Sequence, residues 1–308
     1  MIFASELDKS FGETQAVSGL ELQVQAGEIY GLVGPDGAGK TTTMRLLCAA
    51  LLPDHGQIKI GEIDMLRQPE QGRELIGYLP QRFSMYEELT VRENLRFFAE
   101  VRGIRREAWQ QRSREILEFV GLYDFIDRQA GKLSGGMKQK LGLAVALVHE
   151  PRVLLLDEPT TGVDPVTRQD FWQLIIRLTQ DNQIAVLVST PYMDEAARCH
   201  RLGFLRQGRL QLEGTPQDLR DHLAGQVLEL QGSPLPQIRS IAAADPDVVD
   251  AQMFGDRLHL HIQGGTAEAV QQRLQQAVPA AGAQLTHLQL IPAQLEDVFI
   301  ILVANDHG

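Results

Sequence analysis

The chain has 308 residues, long enough for one large domain and a smaller one, and its 44% hydrophobic and 22% charged content is ordinary for a folded protein. A formal net charge of −11 argues against nucleic acid as a partner, because that binding rests on Lys and Arg neutralising phosphates. No apolar run approaches the ~20 residues that span a bilayer, and Glu6 and Asp8 interrupt the N-terminus where a signal peptide would turn apolar. The expectation is a cytoplasmic chain that leaves any membrane crossing to a separate subunit.

In chain order, residues 1 to about 33 read as strands, the last being the apolar run 27–33 that feeds Gly34-Pro35-Asp36-Gly37-Ala38-Gly39-Lys40-Thr41. Residues 41–51 read as a helix with Met44, Leu46, Leu47 and Leu51 inward. Residues 86–150 are helix-rich, with helical spacing at 91–98 and 116–120. The all-apolar run 153–156 fits a parallel strand buried on both faces. A helix over 171–179, a buried strand over 184–189 and a helix starting at 194–199 follow. Such alternation predicts an α/β core with a helical insert. Beyond residue 222 the pattern changes to strands at 227–230, 248–253, 258–261 and 285–290, with helices at 236–243 and 267–277. That β-α-β-β-α-β order predicts a small α+β, ferredoxin-like domain over 223–308, closed by a helix at 295–302. Cys48 and Cys199 lack Cys-x-x-Cys spacing and read as small buried or half-buried thiols. His259 and His261, two apart on one strand, read as a polar outer strand face rather than a metal site.

The 34–41 loop sits between strand and helix, the context in which glycines let backbone N–H groups turn inward around phosphate. Lys40 would reach the outer phosphates and the Thr41 hydroxyl would hold Mg²⁺, with Thr42 next in the helix that directs its positive end at the anion. Asp157, at the end of a buried strand, is the second candidate for Mg²⁺, and Glu158 the candidate general base for an attacking water. Gln81, between the glycine loop and the helical segment, reads as a γ-phosphate and Mg²⁺ sensor. Ser134, Gly135 and Gly136 open a helix and form a second anion site. One chain already holds a complete phosphate cradle, so this second site should serve nucleotide on another subunit, which predicts a dimer. Phe11 is the candidate for stacking on adenine, with Val17 beside it and a core phenylalanine as the competing reading.

Five motifs therefore stand in one order: the 34–41 loop, Tyr78-Leu79-Pro80-Gln81, Leu133-Ser134-Gly135-Gly136-Met137, Val153-Leu154-Leu155-Leu156-Asp157-Glu158-Pro159, and Gly162-Val163-Asp164. In this set residues 1–222 resemble the nucleotide-binding subunit of an ATP-binding-cassette (ABC) transporter. The resemblance implies a P-loop NTPase cassette with a mixed sheet core and a helical subdomain at about 86–150. It also implies that two cassettes sandwich ATP between 34–41 of one and 134–136 of the other, with Asp164 joining Glu158, Lys40 and Gln81 in the catalytic set. The implied partners are a membrane permease and a second cassette, placing the chain on the cytoplasmic face of the membrane. Ser134 to Lys140, Tyr192-Met193-Asp194-Glu195-Ala196 and Leu295-Glu296-Asp297-Val298-Phe299 resemble drug-exporter ATPases of the daunorubicin-resistance type.

Two positions depart from the family pattern. Asp36 stands where Asn or Ser is usual, and Pro191 stands where the resemblance places a switch histidine. Proline offers no donor to a γ-phosphate, and His200, about two helical turns further on by the predicted helix, is a poor substitute. The expectation is an impaired ATP site paired with a fully active cassette, as in the first half of tandem exporter ATPases. A slowly hydrolysing homodimer stays open beside it. So do a regulatory subunit with little hydrolysis and an ABC ATPase not tied to transport.

Overall fold

The computed structural model describes residues 1–82 and 85–304; residues 305–308 of the expected C-terminal domain lie outside them. The chain parts into two compact units, Met1–Glu213 and Gly214–Gly308. That division falls upstream of the 222/223 boundary read from the sequence.

The first unit runs β1 (Ile2–Phe11), β2 (Thr14–Val24), β3 (Ile29–Val33), α1 (Lys40–Leu47), β4 (His55–Ile60), β5 (Ile63–Asp64), α2 (Pro69–Glu74) and β6 (Ile76–Leu79). It continues through α3 (Val91–Val101), α4 (Arg106–Val120), α5 (Gly135–Leu147), β7 (Val153–Asp157), α6 (Pro165–Asn182), β8 (Ala185–Thr190), α7 (Met193–Ala196), β9 (Arg201–Arg206) and β10 (Arg209–Gly214). One sheet has the order β2-β1-β4-β5 and the other β10-β9-β3-β8-β7-β6. Every residue of β3, β7 and β8 is buried. That is why these runs are uninterrupted by polar side chains until their last residues: parallel strands covered on both faces have no wet side. The helix after the glycine loop ends at Leu47, short of the expected 51, with Met44, Leu46 and Leu47 in the core and Leu51 only half-buried. Cys48 and Cys199 are free and buried, as their isolation suggested.

The parallel ladder sets the functional edge. Val33 pairs with Thr190, Asp157 with Ser189, and Leu79 with Leu156. Four strand ends, those of β3, β8, β7 and β6, therefore open at one edge, where ligands of open α/β sheets bind.

The second unit contains α8 (Pro216–Asp221), β11 (Val227–Ser233), α9 (Leu235–Ala243), β12 (Val248–Phe254), β13 (Arg257–Ile262), α10 (Ala267–Ala280), β14 (Gln284–Ile291) and α11 (Leu295–Ala304). Its sheet has the order β12-β13-β11-β14, with all three pairings antiparallel. Leu228, Leu230, Leu258, Leu260 and Ile262 pack with Ile238, Val270, Leu274 and Val278 of α9 and α10.

His259 and His261 correct the expectation of a solvated strand face. Both are 2% exposed, because Asp297 of α11 reaches over them. His259 Nδ1 lies 2.8 Å and His261 Nε2 3.5 Å from Asp297 Oδ1, and the Gln294 N–H donates to Oδ2 at 2.7 Å. Burial pushes the Asp297 carboxyl up, but the hydrogen bond with His259 and the close His261 imidazole outweigh it and hold the group well below the usual carboxylate range. A depressed folded value stabilises the unit above the ordinary Asp value of 3.8, and that contribution is lost as pH falls toward the folded value. Asp297→Ala, which strips both imidazoles of their buried partner, is expected to cost about 1–3 kcal/mol locally. Faster hydrogen exchange across α11 is the expected readout; unchanged exchange would assign the helix's hold to its apolar contacts.

Candidate functional site

The loop after β3 is tightly enclosed. A Cβ at Gly34 would collide with the Leu205 carbonyl, and one at Gly39, whose φ is +105°, would strike the Ala16 carbonyl. Glycine is thus required twice, by space and by conformation. The Gly208 N–H donates to Ala38 O at 3.0 Å, fastening the loop to the turn between β9 and β10. Ala38 is buried, Pro35 half-buried, and Asp36 and Gly37 exposed at the loop's tip. Thr41 and Thr42 are half-buried in the first turn of α1.

Lys40, only 5% exposed, donates to the Gly34 and Pro35 carbonyls at 2.8 and 3.0 Å, and its Nζ lies 3.6 Å from Glu158 Oε1. Gln81 Nε2 donates to Glu158 Oε2 at 2.9 Å. Thr41 Oγ1 is 3.1 Å from Asp157 Oδ1. Lys40, Thr41, Gln81, Asp157 and Glu158, spread over more than a hundred positions of the sequence, thus meet in one hydrogen-bonded cluster. Glu158 holds φ +47°, a left-handed backbone that costs a non-glycine residue roughly 1–3 kcal/mol and clusters at functional sites.

Ser189, which sequence reasoning missed, holds the two acidic residues together. Its buried hydroxyl donates to Asp157 Oδ1 at 2.8 Å and accepts the Glu158 N–H at 2.9 Å. The only sequence signal for it is its place as the penultimate residue of a buried strand.

Asp157 is fully buried and no lysine or arginine pairs with it among the described residues. A buried carboxylate without a counter-charge, beside a hydroxyl and next to a phosphate loop, fits a hard divalent cation with oxygen ligands such as Mg²⁺.

The remaining candidates lie around this cluster. Ser134 caps α5, its Oγ accepting the Met137 N–H at 3.3 Å, and Ser134 and Gly135 are exposed while Gly136 is buried against Thr167 of α6. Asp164 is the exposed N-cap of α6 and accepts the Thr167 N–H at 3.0 Å, a bond that keeps its carboxyl low. Phe11 is 49% exposed, with Lys9 Nζ 5.7 Å from its ring centroid, so it is not a core phenylalanine. Val17 differs: its side chain is fully buried in the core of the first unit, not on the surface beside Phe11. The helix expected at 194–199 stops at Ala196. His200 instead exchanges bonds with Ile29, its Nδ1 accepting the Ile29 N–H at 2.9 Å. That is the opposite end of β3 from the glycine loop, so His200 has no place in the site.

The comparisons agree with this geometry. Residues 17–161 match the family model described as ABC transporter. The chain is 42% identical over 84% of its length to the Escherichia coli (strain K12) "Probable multidrug ABC transporter ATP-binding protein YbhF", but spans only 46% of that relative. It is 37% identical to the "Nod factor export ATP-binding protein I" of Burkholderia pseudomallei (strain 1710b), covering 98% of this chain and 96% of the relative. Among solved structures, an ATP-binding subunit of an ABC transporter aligns with TM-score 0.66 and 28% identity, covering 73% of this chain and 93% of its own. A dimeric ATP-binding cassette in a post-hydrolysis state with ADP and Pi aligns with TM-score 0.64 and 26% identity, covering 70% and 98%.

Proposed function

The chain belongs to the family of ABC transporter ATP-binding subunits, and from that premise we propose that it binds and hydrolyses ATP to drive a separate membrane permease, as an exporter of drugs or other small or lipophilic molecules. The observation that carries this reading is the convergence of Lys40, Thr41, Gln81, Asp157 and Glu158 at four parallel strand ends. The 34–41 loop cradles the phosphates and Lys40 turns from its loop carbonyls to the outer ones. Thr41 and Asp157 would hold Mg²⁺, which would supply neutralisation of the negative charge on the nucleotide. Glu158 takes the proton of the attacking water as its oxygen bonds to the γ-phosphorus and ADP leaves, with Gln81 fixing the carboxylate. Ser134 to Gly136 then serve the nucleotide of a second cassette, so closing the pair on ATP and opening after hydrolysis moves the permease. The export direction is supported by the likeness to the Nod factor export ATP-binding protein I.

One observation favours a more specific form. Pro191 follows directly on Thr190, the residue paired with Val33 at the mouth of the glycine loop, and carries no hydrogen-bond donor. The chain's own ATP site is then the slow member of an asymmetric pair, and its intact Ser134 to Gly136 element serves an active partner.

The test is affinity purification of the chain from detergent-solubilised membranes of its own cells. A multi-span membrane protein and an ATP-dependent second cassette are expected. Recovery with DNA or ribosomes, and no membrane protein, would overturn the transport reading.

A further inference from the structure

A second buried network adjoins the site, and the proposed mechanism does not use it. Glu195 of α7 is fully buried. Thr160 Oγ1 donates to its Oε1 at 2.5 Å and Thr190 Oγ1 to its Oε2 at 2.6 Å. Arg168 Nε of α6 lies 3.5 Å from Oε1, and the guanidinium sits 4.3 Å from the Tyr192 ring centroid, 3.8 Å from Asp194. The Tyr192 N–H donates to Thr190 Oγ1 at 3.1 Å, closing the turn that contains Pro191. One carboxylate thus gathers the end of β8, the loop after Glu158 and the first turns of α6. A buried charge is tolerated only when paired and hydrogen-bonded on both oxygens, and Glu195 has both.

What those three segments carry gives the network its meaning. Thr160 is two residues beyond Glu158, so fixing it fixes the loop that ends in Asp164. That loop and α6 also abut the second half-site: a Cβ on Gly135 would lie 4.0 Å from the Gly162 carbonyl, and one on Gly136 would collide with Thr167. The chain's hydrolytic edge and its Ser134 element are therefore joined through the 159–168 segment, and Glu195 is what anchors that segment to the strand end beside the glycine loop.

We propose that Glu195, acting through Thr160 and Thr190, is a positioning residue that sets the register between the Glu158 edge and the Ser134–Gly136 edge of the same cassette. It touches no substrate. Its effect falls on turnover and on ATP-driven pairing rather than on nucleotide binding, and the inference rests on the ATP-dependent pairing read above.

Thr160→Val removes one donor while keeping the buried volume, and Thr160→Ser keeps the donor. In the assembled transporter, Thr160→Val is expected to lower kcat by about tenfold with KM for ATP held within about twofold, and Thr160→Ser to restore kcat. Unchanged turnover in Thr160→Val, or a rise in KM at constant kcat, overturns the proposal. So does a loss that Thr160→Ser fails to rescue, since that is the mark of a packing role. Where the wild-type assembly shows no turnover, hydrolysis as a function fails but the tie stays testable by pairing. In a Glu158→Gln background, ATP-dependent association by sedimentation is expected to weaken by about tenfold with Thr160→Val and to recover with Thr160→Ser. Equal association in all three overturns the tie, and no association in any of them sinks the functional reading and the tie with it.

Discussion

Replacing Glu158 with glutamine is expected to lower ATP turnover at this chain's own site by about 10²- to 10⁴-fold, the usual contribution of a positioned general base. Binding should be little affected, because glutamine has the same shape and keeps an oxygen acceptor. Gln81 Nε2 and Thr161 Oγ1 both donate to Oε2, at 2.9 and 3.3 Å, and one amide orientation retains them. The backbone is held independently of the side chain: the Glu158 N–H donates to Ser189 Oγ at 2.9 Å and to Ser189 O at 3.2 Å. The left-handed φ of +47° is therefore set by neighbours that the substitution leaves in place. What is lost is the negative oxygen that accepts a proton, and with it the 3.6 Å ion pair to Lys40, which frees the ammonium for the phosphates. Phosphate release measures the first effect. Light scattering of the ATP-loaded variant measures the second, a pair of cassettes that forms on ATP and does not reopen. Turnover within about threefold of wild type, read with any partner cassette silenced at its own catalytic carboxylate, would remove Glu158 from the role of base and leave water activation to another group.

How far the site is legible in the sequence depends on whether a residue's constraint is local. The glycines of the 34–41 loop are legible because a backbone squeezed between Leu205 and Ala16 admits no Cβ, and such a constraint leaves glycine in the sequence at fixed spacing. Asp157 and Glu158 are legible because a strand buried on both faces allows no polar residue until its end. Ser189, Thr160 and Glu195 are ordinary residue types whose meaning comes from non-local pairing, the Asp157 to Ser189 rung above all. Nothing beside them in the chain announces it. The two histidines of β13 show the same limit from the other side. Alternation along the strand correctly puts His259 and His261 on one face, but whether that face is wet depends on a helix that begins only at Leu295. The helical path expected toward His200 failed for a third reason: the reading from Asp194 could not register that the next strand starts at Arg201 and draws His200 against Ile29, although His200 stays the poor substitute it was read as.

Pro191→His is expected to raise turnover by roughly ten- to a hundredfold in an assembly whose rate is limited by this chain's own site. The magnitude follows from a hydrogen bond to a charged partner, worth about 1.5–3 kcal/mol, converted to a rate through the transition-state relation. The scaffold for such a donor already exists. Thr190 is fixed by its rung to Val33 and by its 2.6 Å bond to Glu195, and the Tyr192 N–H closes on Thr190 Oγ1 at 3.1 Å. None of these bonds uses a group of Pro191, so a histidine there enters a turn that is already held, at the strand end next to the loop that carries Lys40. The response also separates the two kinds of pair. In a homodimer both sites gain the donor, and turnover rises with the chain alone in the presence of its permease. In an asymmetric pair the gain is confined to one of two sites, and it shows only after the partner cassette has been silenced at its own catalytic carboxylate. Rapid wild-type turnover that histidine leaves unchanged would mean that Ser189, Gln81 and Lys40 suffice around Glu158, and the impaired-site reading would then have no support.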